Sequence, residues 1–253
     1  MGGLGIGIAF APIAGHPALL IGGKEPAVVI ADLHLGYSDE LEDKGMFIGK
    51  QSEQMLAELE LISSRAGRLI MLGDLKHAIG YTRRRSDLPA FMAELMTYYE
   101  RVDVVPGNHD GMISRSLPQR VMLHSTEGFA DGEVSYCHGH AWPASELMKS
   151  RLLVMGHVHP AVRFVDSLGN RYVEKCWLRV PFRKEDPEGR YGSLPAEMIV
   201  IPAFNPLLTG TPVNTKQGKG LGPILKEGLV RLTKGRIYLL DGTYLGTVSE
   251  NAQ

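Results

Sequence analysis

Three five-residue runs with strand character, AVVIA (27–31), RLIML (68–72) and RVDVV (101–105), are separated by stretches whose apolar residues recur at helical spacing. In QSEQMLAELELISSRAG (51–67), Met55, Leu56, Leu59 and Ile62 share one face, and Gly67 is placed to end the helix. SDLPAFMAELMTYYE (86–100) offers Ser86 as an N-cap and Pro89 in the first turn. Strand, helix, strand, helix, strand is the pattern of a parallel sheet with right-handed crossovers. ALLI (18–21) joins the first run through GGKEP, which predicts a β-hairpin. The apolar N-terminus MGGLGIGIAFAPIAG lacks a basic leader, and residue 6 is Ile where a myristoylation signal needs Ser or Thr. It reads as a strand.

Beyond residue 118 the pattern changes to short strands near 119–123, 126–130, 133–137, 151–155, 161–165 and 171–178, with hairpin turns at Asp131-Gly132 and at SLGN (167–170). RKEDPEGRYGS (183–193) predicts an exposed loop, residues 209–223 a Gly-rich one, and GRIYLLDGTYLGTV a last hairpin around Asp241-Gly242. No composition shift marks a boundary, so residues 1–253 are expected to form one domain, with 176–253 completing or decorating it. Twenty-seven Lys+Arg against 28 Asp+Glu give a net charge of −1, so no global charge points to a nucleic acid or a membrane. Two cysteines, Cys137 and Cys176, are too few for a disulfide framework and suit a reducing cytoplasm.

Five of the predicted strands end alike. AVVIADLH ends in Asp32 and His34, LIMLGD in Asp74, VDVVPGNHD in Asn108, His109 and Asp110, VSYCHGH in His138, and LLVMGHVH in His157 and His159. In open α/β sheets the carboxyl ends of strands line the ligand crevice, so five such endings can converge on one place. Alone, an Asp-x-His or Gly-Asp is an ordinary turn, and Asn108 after Pro106-Gly107 is an ordinary turn residue. His157 and His159, two apart on extended chain, point the same way and reach one ion more readily. Five of the nine histidines are the ones singled out in these endings, which argues for a metal site.

In this order, Asp-x-His, Gly-Asp, Gly-Asn-His-Asp, His-Gly-His and Gly-His-x-His, spanning residues 32–159, resemble the calcineurin-like metallophosphoesterase superfamily. GDLKH (73–77) and IPAFNPLLTG (201–210) resemble its small archaeal and bacterial branch, some members of which are encoded beside DNA ligases and helicases. The resemblance implies a four-layer α-β-β-α sandwich with mixed sheets and two metals at its edge. One ion would take Asp32, His34 and His159, the other Asn108, His138 and His157, and Asp74 would bridge them. Two carboxylates against two divalent ions leave a seat near +2 for a phosphate. Mixed imidazole and carboxylate ligands suit Mn²⁺, with Fe, Zn²⁺ or Ni²⁺ as alternatives.

The implied activity is hydrolysis of phosphodiesters by a bridging hydroxide, with His109 as general acid to the leaving oxygen. Asp110 is expected either to orient His109 or to cap the next turn. Lys76, His77 and Arg83, Arg84 and Arg85 offer phosphate contacts or a solvated basic turn, which leaves DNA or RNA open as substrate. Trp142 and Trp177 could stack a base or serve packing; His140 lines the pocket or packs behind it, and His16 and His124 have no assigned role. Two alternatives stand: a phosphomonoesterase of small molecules or nucleotides, and a non-catalytic subunit serving a helicase or ligase. The sequence is silent on oligomeric state.

Overall fold

The computed structural model of the chain describes residues 8–78, 87–215 and 222–253. One sheet holds β1 (Phe10–Pro12), β2 (Leu19–Ile21), β3 (Ala27–Ala31), β4 (Arg68–Leu72), β5 (Arg101–Val105) and β6 (Met122–Leu123) in that spatial order. β1, β2 and β3 pair antiparallel, whereas β3 to β6 run parallel, as the strand-helix alternation requires. The crossovers carry α1 (Tyr37–Asp43), α2 (Gln51–Ser63) and α3 (Leu88–Tyr98).

The second sheet contains β7 (Phe129–Asp131), β8 (Val134–Cys137), β9 (Leu152–Met155), β10 (Pro160–Val165), β11 (Arg171–Pro181), β12 (Glu197–Val200) and β13 (Thr211–Pro212). Their spatial order is β13-β10-β11-β12-β9-β8-β7, with β8, β9 and β12 parallel. The hairpin of β14 (Arg236–Leu239) and β15 (Tyr244–Thr247) attaches to β11.

Alternation of side chains along each strand builds the layers. Val28, Ile30, Leu69, Met71, Val102 and Val104 pack beneath Met55, Leu59, Phe91 and Leu95 of the helices. Their neighbours Val29, Ala31, Ile70 and Leu72 meet Tyr136, Val154, Trp177 and Ile199 of the second sheet. Cys137, Leu153, Met155, Leu178 and Met198 face outward under Leu147, Met148, Ile224 and Leu225. That fourth layer is mostly turns, with one short helix, α4 (Pro223–Lys226). Strands covered on both faces explain the unbroken apolar runs in the sequence.

Several details differ from expectation. α2 ends at Ser63, and Gly67 does not cap it; the Gly67 carbonyl instead accepts the N–H groups of Glu100 (2.8 Å) and Arg101 (3.2 Å) at the start of β5. Asp87 occupies the N-cap of α3, and Ser86 lies outside the described residues, as do Arg83, Arg84 and Arg85. β12 escaped the sequence reading, although it lies between β9 and β11, because its four residues, EMIV, are too short a stretch and show no alternation. In the exposed 183–193 loop, Tyr191 is buried, with its hydroxyl donating to the Pro143 carbonyl, and the Arg190 guanidinium lies 4.0 Å over the Trp142 ring. No helix among the described residues is long and apolar enough to cross a membrane.

Candidate metal centre

The ladder between β3 and β4 continues past both strands: the Asp32, His34 and Leu35 N–H groups donate to the carbonyls of Gly73, Asp74 and Leu75. Both loops are therefore held side by side in unusual conformations. Six described non-glycine residues have positive φ, and five of them are Asp32 (59°), His34 (45°), Asp74 (52°), His157 (67°) and His159 (46°). Such a conformation costs of order 1–3 kcal/mol per residue and persists only where the surroundings enforce it. Positive φ is thus concentrated on the predicted ligands.

The two sheets approach each other closely here. Gly73 and Gly156 make room: a Cβ on Gly73 would lie 2.4 Å from His138 Nδ1, and one on Gly156 would lie 2.6 Å from Ala31 Cβ. Hydrogen bonds cross the seam. His138 Nδ1–H donates to the Leu72 carbonyl at 2.8 Å, which leaves Nε2 facing the centre, and the His157 N–H donates to the Asp32 carboxylate at 3.0 Å.

Three groups of side chains bring potential ligand atoms within 4.8 Å of one another: two are built from predicted ligands, Asp32, His34 and His159, and Asp74, His138 and His157, and a third joins His34 to His77 and His109. His159 Nε2 lies 3.1 Å from Asp32 Oδ1. Asp74 Oδ2 stands between the first two groups, 3.5 Å from His34 Nε2 and 3.4 Å from His138 Nε2. Asn108, on the exposed rim, brings its Oδ1 to 3.3 Å from His138 Nε2. All seven predicted metal ligands thus come together.

The carboxylates suit a cation, whereas His138 and His159, both raised in pKa by the neighbouring carboxylates against the effect of burial, would each have to give up a proton to bind one. Burial works against the Asp74 carboxylate, but His138 and the His109 N–H hold it well below the usual carboxylate range. Burial likewise opposes the Asp32 carboxylate, which His159 holds below its ordinary value. Burial lowers His34 to about 4, and burial with neighbouring His138 lowers His157 to about 4, so both are neutral at pH 7, the form that binds metal. Burial lowers the His138 pKa too, yet Asp74 and Asp32 push it up to about 9, drawing positive charge onto the ring between them. His34 Nε2 is buried without a hydrogen-bond partner, and His159 Nε2, 3.1 Å from Asp32 Oδ1, makes no well-aligned one. Buried polar atoms are rarely left unpaired, and these two face carboxylates, so the residues present fit divalent ions.

His109 and Asp110 part company. His109 Nδ1 donates to the His77 carbonyl, and Nε2 faces the centre at 4.0 Å from Asp74 Oδ2. Asp110, expected either to orient His109 or to cap the next turn, accepts the N–H groups of Gly107 (2.9 Å), Leu75 (3.0 Å) and Lys76 (3.3 Å) with its carboxylate. It thereby fastens the β5 loop to the β4 loop. Burial raises its pKa, which those N–H bonds counteract.

Two contributors escaped the sequence reading. Glu40 Oε2 accepts from His77 Nε2 at 2.6 Å, and His77 Nδ1 lies 3.3 Å from His34 Nδ1, so His77 braces a ligand instead of standing free for phosphate. Asn205 Nδ2 donates to the Leu33 carbonyl at 2.7 Å, pinning the Asp32–His34 loop. The pattern IPAFNPLLTG flagged the segment but not this task. Lys76 Nζ donates to the Gly111 carbonyl, and Trp177 is fully buried between the sheets, which excludes base stacking.

No protein-family model matches the sequence, and no curated protein does. Among solved structures, the chain is similar to the nuclease MPE of Pseudomonas putida, at 21% identity over 93% of this chain and 100% of that one, with a TM-score of 0.52. The phosphoesterase YfcE of E. coli is 18% identical over 87% of this chain and 96% of that one, with a TM-score of 0.39. With its two packed mixed sheets and its ligand-bearing strand ends, the chain has the calcineurin-like metallophosphoesterase fold.

Proposed function

We propose that the chain is a metal-dependent phosphodiesterase acting at this centre, with nucleic acid as the substrate class. The observation that carries the reading is the pair of adjacent ligand groups with Asp74 Oδ2 between them, 3.5 Å from His34 Nε2 of one and 3.4 Å from His138 Nε2 of the other, where the buried His34 Nε2 has no hydrogen-bond partner. Asp32, His34 and His159 would hold one divalent ion and Asn108, His138 and His157 the other, with Asp74 between them. Two such ions supply charge neutralisation for a phosphate and a water acidified into the neutral range. The chain's own residues supply geometry and a proton. His109, tethered through Nδ1 to the His77 carbonyl, presents Nε2 toward the centre, where it protonates the departing oxygen. Mn²⁺ suits the mixed nitrogen and oxygen donors. The likeness to a nuclease supports DNA and RNA as the polymers to test.

The test is hydrolysis of matched aryl phosphodiester and phosphomonoester substrates with Mn²⁺ by the wild type, Asp74→Ala and His109→Ala. We expect faster diester cleavage, abolished in Asp74→Ala and reduced about 10²–10⁴-fold in His109→Ala with bound metal unchanged. A monoester preference would replace the diesterase reading by a phosphatase. Cleavage of neither ester by the loaded wild type would refute both.

A further inference from the structure

Lys175 lies on β11, and its half-buried side chain donates through the ammonium to the carbonyls of Ala203 (2.7 Å) and Asn205 (2.6 Å). Burial lowers its pKa to about 8, while the Glu58 and Asp32 carboxylates act in the opposite sense. Desolvating an ammonium is a costly way to fill space that an apolar side chain would fill without penalty, so its contacts call for a reason. The turn it grips supplies one. The Phe204 N–H donates to the Ala31 carbonyl at 2.8 Å and the Asn205 N–H to the Asp32 carbonyl at 3.3 Å. Asn205 Nδ2 donates to the carbonyls of Leu33 at 2.7 Å and His34 at 3.5 Å. Every carbonyl from Ala31 to His34 is therefore met by Phe204 or Asn205, whose own turn is held by Lys175.

We propose that Lys175, acting through the Ala203–Asn205 turn, is a positioning residue that keeps Asp32 and His34 in the left-handed conformations needed to ligate one ion. This rests on the two-ion reading above. Released from the turn, two strained non-glycine residues relax toward ordinary backbone angles and carry carboxylate and imidazole away from each other. The other ligand group is fastened elsewhere, His138 to the Leu72 carbonyl and Asp74 to the His109 N–H, so loss of the clamp acts on one ion selectively.

The experiment is calorimetric Mn²⁺ titration of the metal-stripped full chain, as wild type, Lys175→Met, Asn205→Ala and the double variant, with Tm measured on each. The wild type is expected to bind two ions. Each single variant keeps one ion at unchanged affinity and binds the other about 10–100-fold more weakly. The double variant is no weaker than the weaker single one, because both act through one turn, and Tm stays within a few degrees. If Lys175→Met fails to fold, Asn205→Ala, which removes the donors to Leu33 and His34 and adds no charge, decides by the same selective loss. Unchanged affinity at both ions, or equal weakening of both alongside a collapse in Tm, overturns the inference and leaves the two-ion reading standing. A wild type binding fewer than two ions overturns that reading and this inference with it.

Discussion

Gly73→Ala should be among the most damaging single-methyl additions to this chain. At φ 72° a side chain sits in the left-handed region, at a cost of about 1–2 kcal/mol. The added Cβ would lie 2.4 Å from Nδ1 and 2.5 Å from Cγ of His138, and 2.8 Å from the Gly107 Cα. His138 is fully buried and has nowhere to retreat without breaking its 2.8 Å bond to the Leu72 carbonyl. A buried donor left unpaired costs about 1–3 kcal/mol and overpacking a similar amount, so with the backbone cost the total is about 3–8 kcal/mol. Gly15, at φ 80° with no atom near its would-be Cβ, isolates the backbone contribution; Gly15→Ala should cost about 1 kcal/mol. Urea unfolding with a chelator present, followed through the fluorescence of buried Trp177, measures both. If the two variants unfold at the same urea concentration, the steric argument for the seam is wrong.

Burial opposes the Asp103 carboxylate, but His124, Arg68 and Arg101 hold it well below its ordinary 3.8, so its stabilisation is present above about pH 4 and is lost as pH falls through the depressed value. Asp103→Asn should cost about 3 kcal/mol at pH 7 by urea unfolding, with the gap to wild type narrowing below pH 4. Asp110→Asn removes part of the acceptor for three backbone N–H groups; it should cost about 2 kcal/mol and leave the shape of the pH–rate profile unchanged, whereas a shifted limb would restore Asp110 as the partner of His109. Mn²⁺ at 100 times its Kd should stabilise the chain by about 2.7 kcal/mol per site in thermal unfolding, and Asp74→Ala should abolish this protection.

The sheet order around β3, β4 and β5 was legible because each strand is a run of five residues bounded by helical periodicity. The candidate ligands stood out because their residue types recur at consecutive strand ends. What stayed hidden depends on contacts far apart in sequence. Nothing local in GNHD tells whether Asp110 points to the ring beside it or to the N–H groups of Leu75 and Lys76, 35 and 34 residues away. Glu40 sits on a seven-residue helix with no distinctive pattern, and its partnership with His77 spans 37 positions. Asn205 looks like one more turn residue until its amide is seen on Leu33, 172 residues back. Gly67 obeyed a local rule for ending helices but was recruited by β5 instead.

The division of the ligands between two sheets bears on how the chain comes to be active. Asp32, His34, Asp74 and Asn108 leave one sheet, while His138, His157 and His159 leave the other, whose central β12 is not reached until residue 197. The bonds that close the site span 125 residues from Asp32 to His157 and 172 from Leu33 to Asn205. Closing such long loops is an entropic toll collected before any reward, and topologies of this kind fold slowly. Recovery of hydrolysis after dilution from denaturant should therefore lag behind the return of helical circular dichroism, because α2 and α3 form from neighbouring residues whereas the centre exists only once both sheets have docked.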